Sequence, residues 1–396
     1  MPQQVTAMNS QITIGLEACV GQPPAELVGA KFGLLANQAS VDSGFRYAWD
    51  VLAERFPGQV AALFSPQHGL WCEQQANMIE TAHGFHPRLR IPIHSLYHTS
   101  RRPTPEMLDG LDAFVIDLQD VGTRVYTFIW TASYCLEACA ERGLPVIVLD
   151  RPNPLGGQIV EGPLLERAQT SFVGRAAIPM RHGLTMGELV QFVNDDLGIG
   201  ARVQVVSMRG WSREMTFRDT GRVWVAPSPN LARLEAVRVY PGQVLLEGTN
   251  LSEGRGTTTP FEICGAPFID GDRLADRLAE FQLPGVIFRP VRFLPTFDKW
   301  SGTSCRGVFL HVVDPTLFRP YRTSVALLAT VHDLWPSDFA WLPPPYEYET
   351  HHPPIDIITG SPRLREAIAA GRSADEIVES QSSVESDKWW ARTARR

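Results

Sequence analysis

The segment from Tyr240 to Pro267, YPGQVLLEGTNLSEGRGTTTPFEICGAP, gathers side chains that can exchange protons and bind polar ligands. Among its glycines and threonines it holds carboxylates, a guanidinium and an amide, which belong to Glu247, Asn250, Glu253, Arg255 and Glu262. Glycine adopts backbone conformations closed to other residues and allows a ligand to approach closely. Apolar residues on both sides indicate burial, and functional residues are common on loops held by a rigid scaffold. We interpret this Gly-rich segment as a candidate site; a solvated connector is the alternative.

Polar residues also follow four predicted strands, at the point where each strand ends. The strands are KFGLLA, VAALF, AFVIDL and PVIVL. In a parallel α/β sheet, ligands bind outside the carboxyl ends of the strands, so these four ends converge on one edge. The pattern predicts a cleft there, built from Asn37 after the first strand, Gln67 and His68 after the second, Asp117, Gln119, Asp120, Arg124 and Tyr126 at the third, and Asp150, Arg151 and Asn153 after the fourth.

Several of these strand-end residues also have a structural interpretation. Asp150 could be a turn residue, since Asp and Asn stabilise local turns. His68 could satisfy a hydrogen bond in the core. Asp117 lies within an apolar strand, where an unpaired charge is costly, so we expect it to pair with Arg124 or Arg151.

The predicted elements divide the chain into two parts. In the first part, short apolar strands alternate with helices, which indicates a parallel sheet covered on both faces and an α/β fold. Thr185 begins one of these helices, and Glu188 three positions later completes a capping box. His182 stands just before this helix, where ligand contact and a role at the helix N-terminus are both open. We predict an α/β domain over 10–245 and a smaller α+β C-terminal domain over 246–396.

The bulk composition describes an ordinary globular protein. The 396 residues are 44% hydrophobic and 20% charged, and the length favours two domains. A net charge of -7 argues against a nucleic-acid partner. The N-terminus lacks the basic start and apolar run of a signal peptide, and no segment approaches the length of a membrane span. The six cysteines form no CxxC pair and are typical of reduced thiols, so we expect a cytoplasmic protein without a membrane partner.

The common cofactor and nucleophile motifs do not occur. No GxGxxG follows the first strand, and there is no GxxxxGK[ST] and no GxSxG. Carboxylates with Arg, Asn and His remain, and they suit glycoside hydrolysis, in which an acid and a base or nucleophile flank the bond. Core packing accounts for most aromatic residues, but those near the loops could stack on a sugar, namely Tyr97, Tyr126, Trp211, Trp224 and Tyr240.

A series of short segments resembles one enzyme family in content and order. The segments are LLANQAS, LFSPQHG, SLY…RRPTPEML, QDVGTRVYT, LDRPNPLGG, EGPLL, PMRHGLTMGEL, APSPN, YPGQVLLEGTNLSEGRGTTTPFE and GAPFID. They are similar to the exo-β-N-acetylmuramidases from about Gly33 to Gly360. The resemblance implies a Rossmann-like N-terminal domain, a smaller C-terminal domain and a cleft between them. It also implies release of terminal β-linked N-acetylmuramic acid from peptidoglycan fragments, in cell-wall turnover and recycling, without metal or organic cofactor.

One position departs from the family pattern. The family usually has Pro-Glu-His-Gly after the second strand, whereas this chain has Gln67. An amide cannot donate a proton as a carboxylic acid does. If that glutamate is the family's general acid, another group must supply the proton here. Glu73 in the same loop is our first choice and Glu247 the second, and His68 and Asp117 complete the candidate catalytic set.

N-acetylmuramic acid carries a lactyl carboxylate, so the resemblance implies a cation that binds it. Arginine binds carboxylates through two parallel hydrogen bonds. The candidates in the loops assigned to the cleft are Arg101, Arg124, Arg151 and Arg255. Two other functions stay open: a muropeptide- or sugar-binding protein without turnover, which Gln67 favours, and a hydrolase of a different bond, such as an amide or ester.

Overall fold

The computed structural model describes residues 11–76, 78–382 and 386–393. The chain forms two compact units, each made of several segments. Among the described residues, the first unit contains those up to Gly122, Thr131–Gln158 and Gly183–Pro227, and the second contains Thr123–Trp130, Ile159–His182 and those from Ser228 onward. The sequence predicted one change of domain, between 245 and 246, whereas the chain passes between the units several times.

The strands within the described ranges are β1 (Phe32–Ala36), β2 (Val60–Ser65), β3 (Gly84–Phe85), β4 (Pro92–Ser95), β5 (Ala113–Asp117), β6 (Val146–Leu149), β7 (Glu161–Leu164), β8 (Pro179–Arg181), β9 (Val203–Val206), β10 (Ile263–Ala266), β11 (Val286–Phe293) and β12 (Cys305–Val312). The helices are α1 (Gly15–Gly21), α2 (Ala48–Arg55), α3 (Phe128–Arg142), α4 (Met186–Asp196), α5 (Leu234–Gln243), α6 (Gly271–Ala279), α7 (Pro320–Leu334), α8 (Pro354–Thr359), α9 (Arg363–Ala369), α10 (Ala374–Ser382) and α11 (Ser386–Thr393). Among the described residues, no helix is both long and apolar enough to cross a membrane.

The first unit is built on a seven-stranded sheet with the order β3-β4-β2-β1-β5-β6-β9. All neighbouring strands pair in parallel except β3, which is antiparallel to β4. Every residue of β1, β5 and β6 is buried, because central strands of a parallel sheet are covered on both faces. The predicted α/β fold is confirmed. The strand order reverses between β1 and β5, since later strands are added outward on both sides of this pair.

The start of α4 shows how local sequence fixes an element of this unit. The Thr185 hydroxyl accepts a hydrogen bond from the Glu188 N–H at 3.3 Å, and the Glu188 carboxylate accepts one from the Thr185 N–H at 2.9 Å. The predicted capping box is therefore confirmed. It satisfies two N–H groups that would otherwise lack partners at the first turn.

The second unit has an antiparallel sheet with the order β10-β12-β11, and β7 pairs separately with β8. Helix α6 packs on β11 and β12, and α7 packs on α6. Val308 and Leu310 of β12 lie in the interior of this unit. Helices packed on an antiparallel sheet form an α+β arrangement.

The Gly-rich segment is less irregular than its composition suggests. Helix α5 contains Tyr240 and continues past Pro241, a 3₁₀ turn follows over Val244–Gly248, and β10 forms the other end. Pro241 removes one helical hydrogen bond, but residues 244–246 are completely buried or nearly so, and tertiary packing overrides local propensity.

Candidate active site

The candidate residues lie in both units. The first unit holds Asn37, Gln67, His68, Glu73, Arg101, Asp117, Gln119, Asp120, Asp150, Arg151 and Asn153, and the second holds Arg124, Tyr126, His182, Glu247, Asn250, Arg255 and Glu262. In the first unit, the loops after β1, β2, β5 and β6 leave the sheet at its carboxyl edge, around the reversal of strand order. Open α/β sheets form their ligand sites at this point.

Asp117 and Arg151 form a buried ion pair at this edge. Arg151 donates from Nε to Oδ1 of Asp117 at 2.5 Å and from Nη2 to Oδ2 at 2.8 Å. Nη2 also donates to the carbonyl oxygen of Val41 at 3.1 Å. Asp117 thus takes one of its two predicted partners, and the pair fixes a guanidinium between the loops after β1 and β6. Removing either partner would leave an uncompensated buried charge.

Arg124, the other predicted partner of Asp117, lies in the second unit and is bound differently. Its guanidinium donates to the carbonyl oxygens of Pro163, Ile178 and Ile358 at 2.8 to 2.9 Å. These oxygens carry only partial negative charge, and burial lowers the pKa of Arg124 to about 10. Arg124 therefore ties three segments of the second unit together.

Two side-chain amides at the carboxyl edge bind neighbouring loops. Asn37 donates to the carbonyl oxygen of Pro227 at 2.8 Å, and Asn153 donates to that of Leu184 at 3.0 Å. Each amide oxygen also accepts a backbone N–H two residues further along the chain. Both residues hold the edge in shape. Asp120 stabilises the loop after β5 itself, because its carboxylate accepts a hydrogen bond from the Gly122 N–H at 2.5 Å.

The loop after β2 holds Gln67 and His68 in buried positions, each 6% exposed. His68 has a φ of 71°, a left-handed conformation that costs energy in residues other than glycine and recurs at functional sites. Its Nδ1 lies 2.6 Å from the carbonyl oxygen of Gln74. A carbonyl oxygen can only accept, so this contact assigns a proton to Nδ1. Glu73, in the same loop, is exposed.

Asp150 joins the end of β6 to the start of α4. Its Oδ1 accepts the Gly187 N–H at 2.7 Å, and its Oδ2 accepts the Thr185 hydroxyl at 3.1 Å. A Cβ at position 187 would lie 2.6 Å from Cγ1 of Val205 and 3.0 Å from the carboxyl carbon of Asp150, so a side chain there would displace its neighbours. Burial raises the pKa of Asp150 to about 7, although both hydrogen bonds act against the rise.

We expect Asp150→Asn to remove part of the pH dependence of stability. Because the folded pKa of about 7 lies above the ordinary value of 3.8, the folded state binds a proton that the unfolded state releases. The stabilisation linked to this proton is complete below about pH 4 and is lost as the pH rises towards 7. Asparagine keeps an oxygen for the Gly187 N–H without a charge. The free energy of unfolding of the variant, relative to wild type, should therefore rise over this window, by about 1.4 kcal/mol for each pKa unit.

Urea unfolding at several pH values between 4 and 8 measures this difference. Asp196→Asn is the matched control, since Asp196 is exposed at the other end of α4. Its difference from wild type should stay constant with pH. A constant difference for Asp150→Asn as well would contradict the raised pKa.

The Gly-rich segment surrounds a buried network of ion pairs in the second unit. Arg255 donates from Nη2 to Glu247 at 2.5 Å and from Nε to Glu253 at 2.9 Å. Lys299 Nζ lies 2.8 Å from Glu253 Oε2, and the Tyr346 hydroxyl donates to Glu247 at 2.6 Å. Two cations thus pair with two buried carboxylates, and the partly exposed Asp298 carboxylate lies 3.8 Å from Arg255 Nε.

The charges of this network stabilise one another against burial. Burial opposes the ionised form of Glu253, but Lys299 and Arg255 outweigh it and lower the pKa of this carboxyl. Burial likewise opposes the charge of Arg255, and Glu247 and Glu253 more than offset it, so the pKa of Arg255 is raised. A ligand carboxylate at Arg255 would have to compete with two carboxylates that are already in place.

Asn250 and Glu262 also make internal contacts. Asn250 donates to the carbonyl oxygen of Asp338 at 2.8 Å and accepts the Ala340 N–H at 3.0 Å. Arg233 Nη2 lies 2.5 and 2.6 Å from the two carboxylate oxygens of Glu262. Burial raises the pKa of Glu262, with Arg233 acting in the opposite direction. These contacts hold the Gly-rich segment as a rigid part of the second unit.

The remaining candidates are aromatic or basic. Tyr126 packs against Phe128 with ring centroids 4.5 Å apart. His182 is fully buried, and its carbonyl oxygen accepts the indole N–H of Trp389 at 3.0 Å. Arg101 is half-buried in the first unit. The sequence analysis did not identify Trp389, because a tryptophan in a short terminal helix has no pattern that names its partner.

A pocket of about 70 Å³ opens in the first unit, among the loops after β1, β5 and β6 and the segment 217–225. Gln119 and Arg151, both predicted from their strand ends, line it together with Trp224. Phe45 and Arg222 also line it and were missed, because neither lies at a predicted strand end. Across the described ranges, no group of three or more His, Cys, Asp or Glu is placed to hold a metal ion.

Comparison with known proteins identifies the class to which this fold and site belong. Residues 32–235 match the N-terminal domain of the exo-β-N-acetylmuramidase NamZ, and residues 238–395 match its C-terminal domain. The chain therefore belongs to the exo-β-N-acetylmuramidase NamZ family, which confirms the resemblance found in the sequence.

Individual relatives support this assignment. The chain is 42% identical over 375 residues to the peptidoglycan β-N-acetylmuramidase NamZ of Bacillus subtilis (strain 168), a match that covers 95% of this chain and 88% of that protein. Two crystal structures of DUF1343 family proteins from Bacteroides fragilis NCTC 9343 have similar folds. One has a TM-score of 0.86 at 31% identity and covers 97% of this chain and 98% of that one. The other has a TM-score of 0.75 at 26% identity and covers 98% of both.

Proposed function

We propose that this chain is a glycoside hydrolase that releases terminal β-linked N-acetylmuramic acid from peptidoglycan fragments during cell-wall turnover and recycling. The observation that carries the proposal is the match of both family domains, together with a relative of 42% identity that is named a peptidoglycan β-N-acetylmuramidase. The first unit adds suitable chemistry, since its pocket combines arginines with aromatic side chains. The substrate is a muropeptide or a related amino sugar.

We assign proton transfer to the loop after β2. Gln67 is buried there but cannot act as an acid. His68 beside it has its Nδ1 bound to a carbonyl oxygen, so a protonated Nε2 can deliver a proton to the leaving oxygen. Glu73 is the competing donor, and its exposed carboxyl would have to fold over the bound sugar. Glu247, the second choice from the sequence, is already bound by Arg255 and Tyr346.

We also propose that the protein works in the cytoplasm. All six cysteines are free and buried, which suits a reducing compartment. The net charge of -7 supports the expectation that nucleic acid is not a partner.

Purified protein should hydrolyse a chromogenic β-N-acetylmuramide and leave the matching β-N-acetylglucosaminide intact. The two substrates differ by the lactyl group, so the comparison tests both the reaction and the sugar. Equal rates on both substrates would overturn the specificity for muramic acid. Binding of N-acetylmuramic acid without any hydrolysis would instead show a binding protein.

His68→Asn should lower the turnover number by about 10²–10⁴-fold, the usual contribution of a general acid or base. Asparagine suits the test because it tolerates the left-handed backbone and can still donate to Gln74. Glu73→Gln is the matched variant and should stay close to wild type. The reverse result, a large loss for Glu73→Gln and none for His68→Asn, would transfer the role to Glu73.

A further inference from the structure

The pocket of the first unit combines an apolar wall with two buried arginines. Val41, Phe45, Phe217 and Trp224 contribute apolar side chains to its lining. Phe45 has a φ of 61° and is 55% exposed, an unusual conformation for a bulky residue. The backbone at Phe45 therefore costs conformational energy. The polar groups of the lining determine which ligand the pocket can bind.

Arg151 lines this pocket and uses only part of its guanidinium. Nε and Nη2 bind Asp117 and the carbonyl oxygen of Val41. Nη1 makes no hydrogen bond to the residues that the structure describes, although Arg151 is only 4% exposed. A guanidinium has five N–H donors in a rigid plane, so two of them are still available on the Nη1 side.

Arg222 offers the more complete binding edge. Its side chain is 7% exposed, and Nη1 binds the Glu17 carboxylate at 2.9 Å and the carbonyl oxygen of Ile12 at 3.4 Å. Within the described ranges, Nε and Nη2 of Arg222 make no hydrogen bond. These two atoms form the edge that grips a carboxylate through two parallel bonds.

The other polar groups of the lining favour a carboxylate ligand. Gln119 donates through Nε2 to two carbonyl oxygens, which fixes its orientation. The Asp42 carboxylate is bound by Arg46 at 3.0 Å and by two backbone N–H groups, so its charge is compensated. Asp117 and Glu17 already neutralise the two pocket arginines in part, and a ligand carboxylate would share each cation with one of them. We therefore expect specificity from this pocket more than high affinity.

We infer that this pocket is a carboxylate subsite, in which Arg222 and Arg151 bind the lactyl carboxylate of muramic acid and the apolar wall receives the lactyl methyl group. The inference rests on the proposed function and names the part of the first unit that separates a muramic acid from a glucosamine. It moves the carboxylate-binding role to an arginine that the sequence analysis did not select. Arg222 is a specificity-determining residue in this arrangement.

Calorimetric titration of the full chain with N-acetylmuramic acid, N-acetylglucosamine and D-lactate tests this inference. Arg222→Gln should weaken binding of N-acetylmuramic acid by about tenfold or more, the loss expected for one charge-assisted contact, and leave N-acetylglucosamine unchanged. Arg218→Gln is the matched control, since Arg218 is exposed in the same segment and does not line the pocket. Glu17→Gln removes the ion pair of Arg222 but keeps its free edge, so it should retain the preference for the muramic acid.

Each of the other possible results would contradict the proposed subsite, and each has a different meaning. If Arg222→Gln keeps the wild-type preference while the wild type hydrolyses the muramide, the subsite is wrong and the proposed function stands. If Glu17→Gln loses the preference as fully as Arg222→Gln, the effect is structural. Binding of D-lactate that depends on Arg222, without binding of the muramic acid, would make the pocket a site for free small carboxylates. A wild type that neither hydrolyses the muramide nor prefers muramic acid would overturn both proposals.

Discussion

In the His68→Asn variant, a second substitution, Gln67→Glu, should raise the rate of hydrolysis of a β-N-acetylmuramide by about 10²–10⁴-fold, the range that a well-placed general acid contributes. Position 67 lies directly after β2 at the carboxyl edge of the sheet and is 6% exposed. Burial disfavours the charged form of a carboxyl group and raises its pKa, which a proton donor near neutral pH requires. The glutamate is isosteric with the native glutamine, so the loop should keep its shape.

Gln75→Glu provides the control for this gain. Gln75 lies in the same loop but is exposed, so the same change of charge there should leave the rate unaltered. Initial rates of release of the chromophore, measured between pH 5 and 8, give the comparison. A double variant that folds and binds N-acetylmuramic acid but shows no gain over His68→Asn would mean that a carboxyl at position 67 cannot take over proton donation in this chain.

Local sequence signals predicted elements well and predicted partners poorly. Thr185 and Glu188 identified the start of α4 because both halves of a capping box lie within one turn. The apolar runs of β1, β5 and β6 identified the sheet because burial on both faces leaves few polar positions. Both signals depend on neighbours in sequence, which one chain always displays.

Such local signals could not predict contacts between residues that are distant in the sequence. Asp117 required a cation, but whether Arg124 or Arg151 supplied it depended on which unit each joins, and Arg124 belongs to a segment that folds with the other unit. Asn37 and Asn153 follow strands as ligand-binding residues do, yet their amides bind neighbouring loops. A side-chain amide offers the same donor to a ligand as to the backbone of a neighbouring loop. The sequence therefore placed Asn37 and Asn153 at the edge of the sheet without showing what they bind. The sequence analysis did not select Arg222, because no strand or helix was predicted beside its segment.

Arg255→Ala should lower the free energy of unfolding by about 3–5 kcal/mol, the usual cost of removing one partner from a buried ion pair. The substitution leaves Glu247 with only the Tyr346 hydroxyl and Glu253 with only Lys299 among the network partners described above. Urea unfolding at neutral pH measures the loss. Arg292→Ala is the control, since Arg292 is exposed in the same unit, and it should stay within about 0.5 kcal/mol of wild type.

The pH dependence of this loss separates a structural Arg255 from one that binds ligand. In the folded wild type the pKa of Glu253 is lowered, so its stabilising contribution is present above the ordinary value of 4.5 and is lost as the pH falls through the lower, folded value. Without Arg255, Glu253 loses one of the two cations that lower its pKa and protonates more readily, so the difference in stability between variant and wild type should narrow as the pH approaches 4. An Arg255→Ala variant of wild-type stability that no longer distinguishes N-acetylmuramic acid from N-acetylglucosamine would instead give Arg255 the carboxylate-binding role first expected from the sequence. Since two buried carboxylates already occupy its donors, we expect the loss of stability.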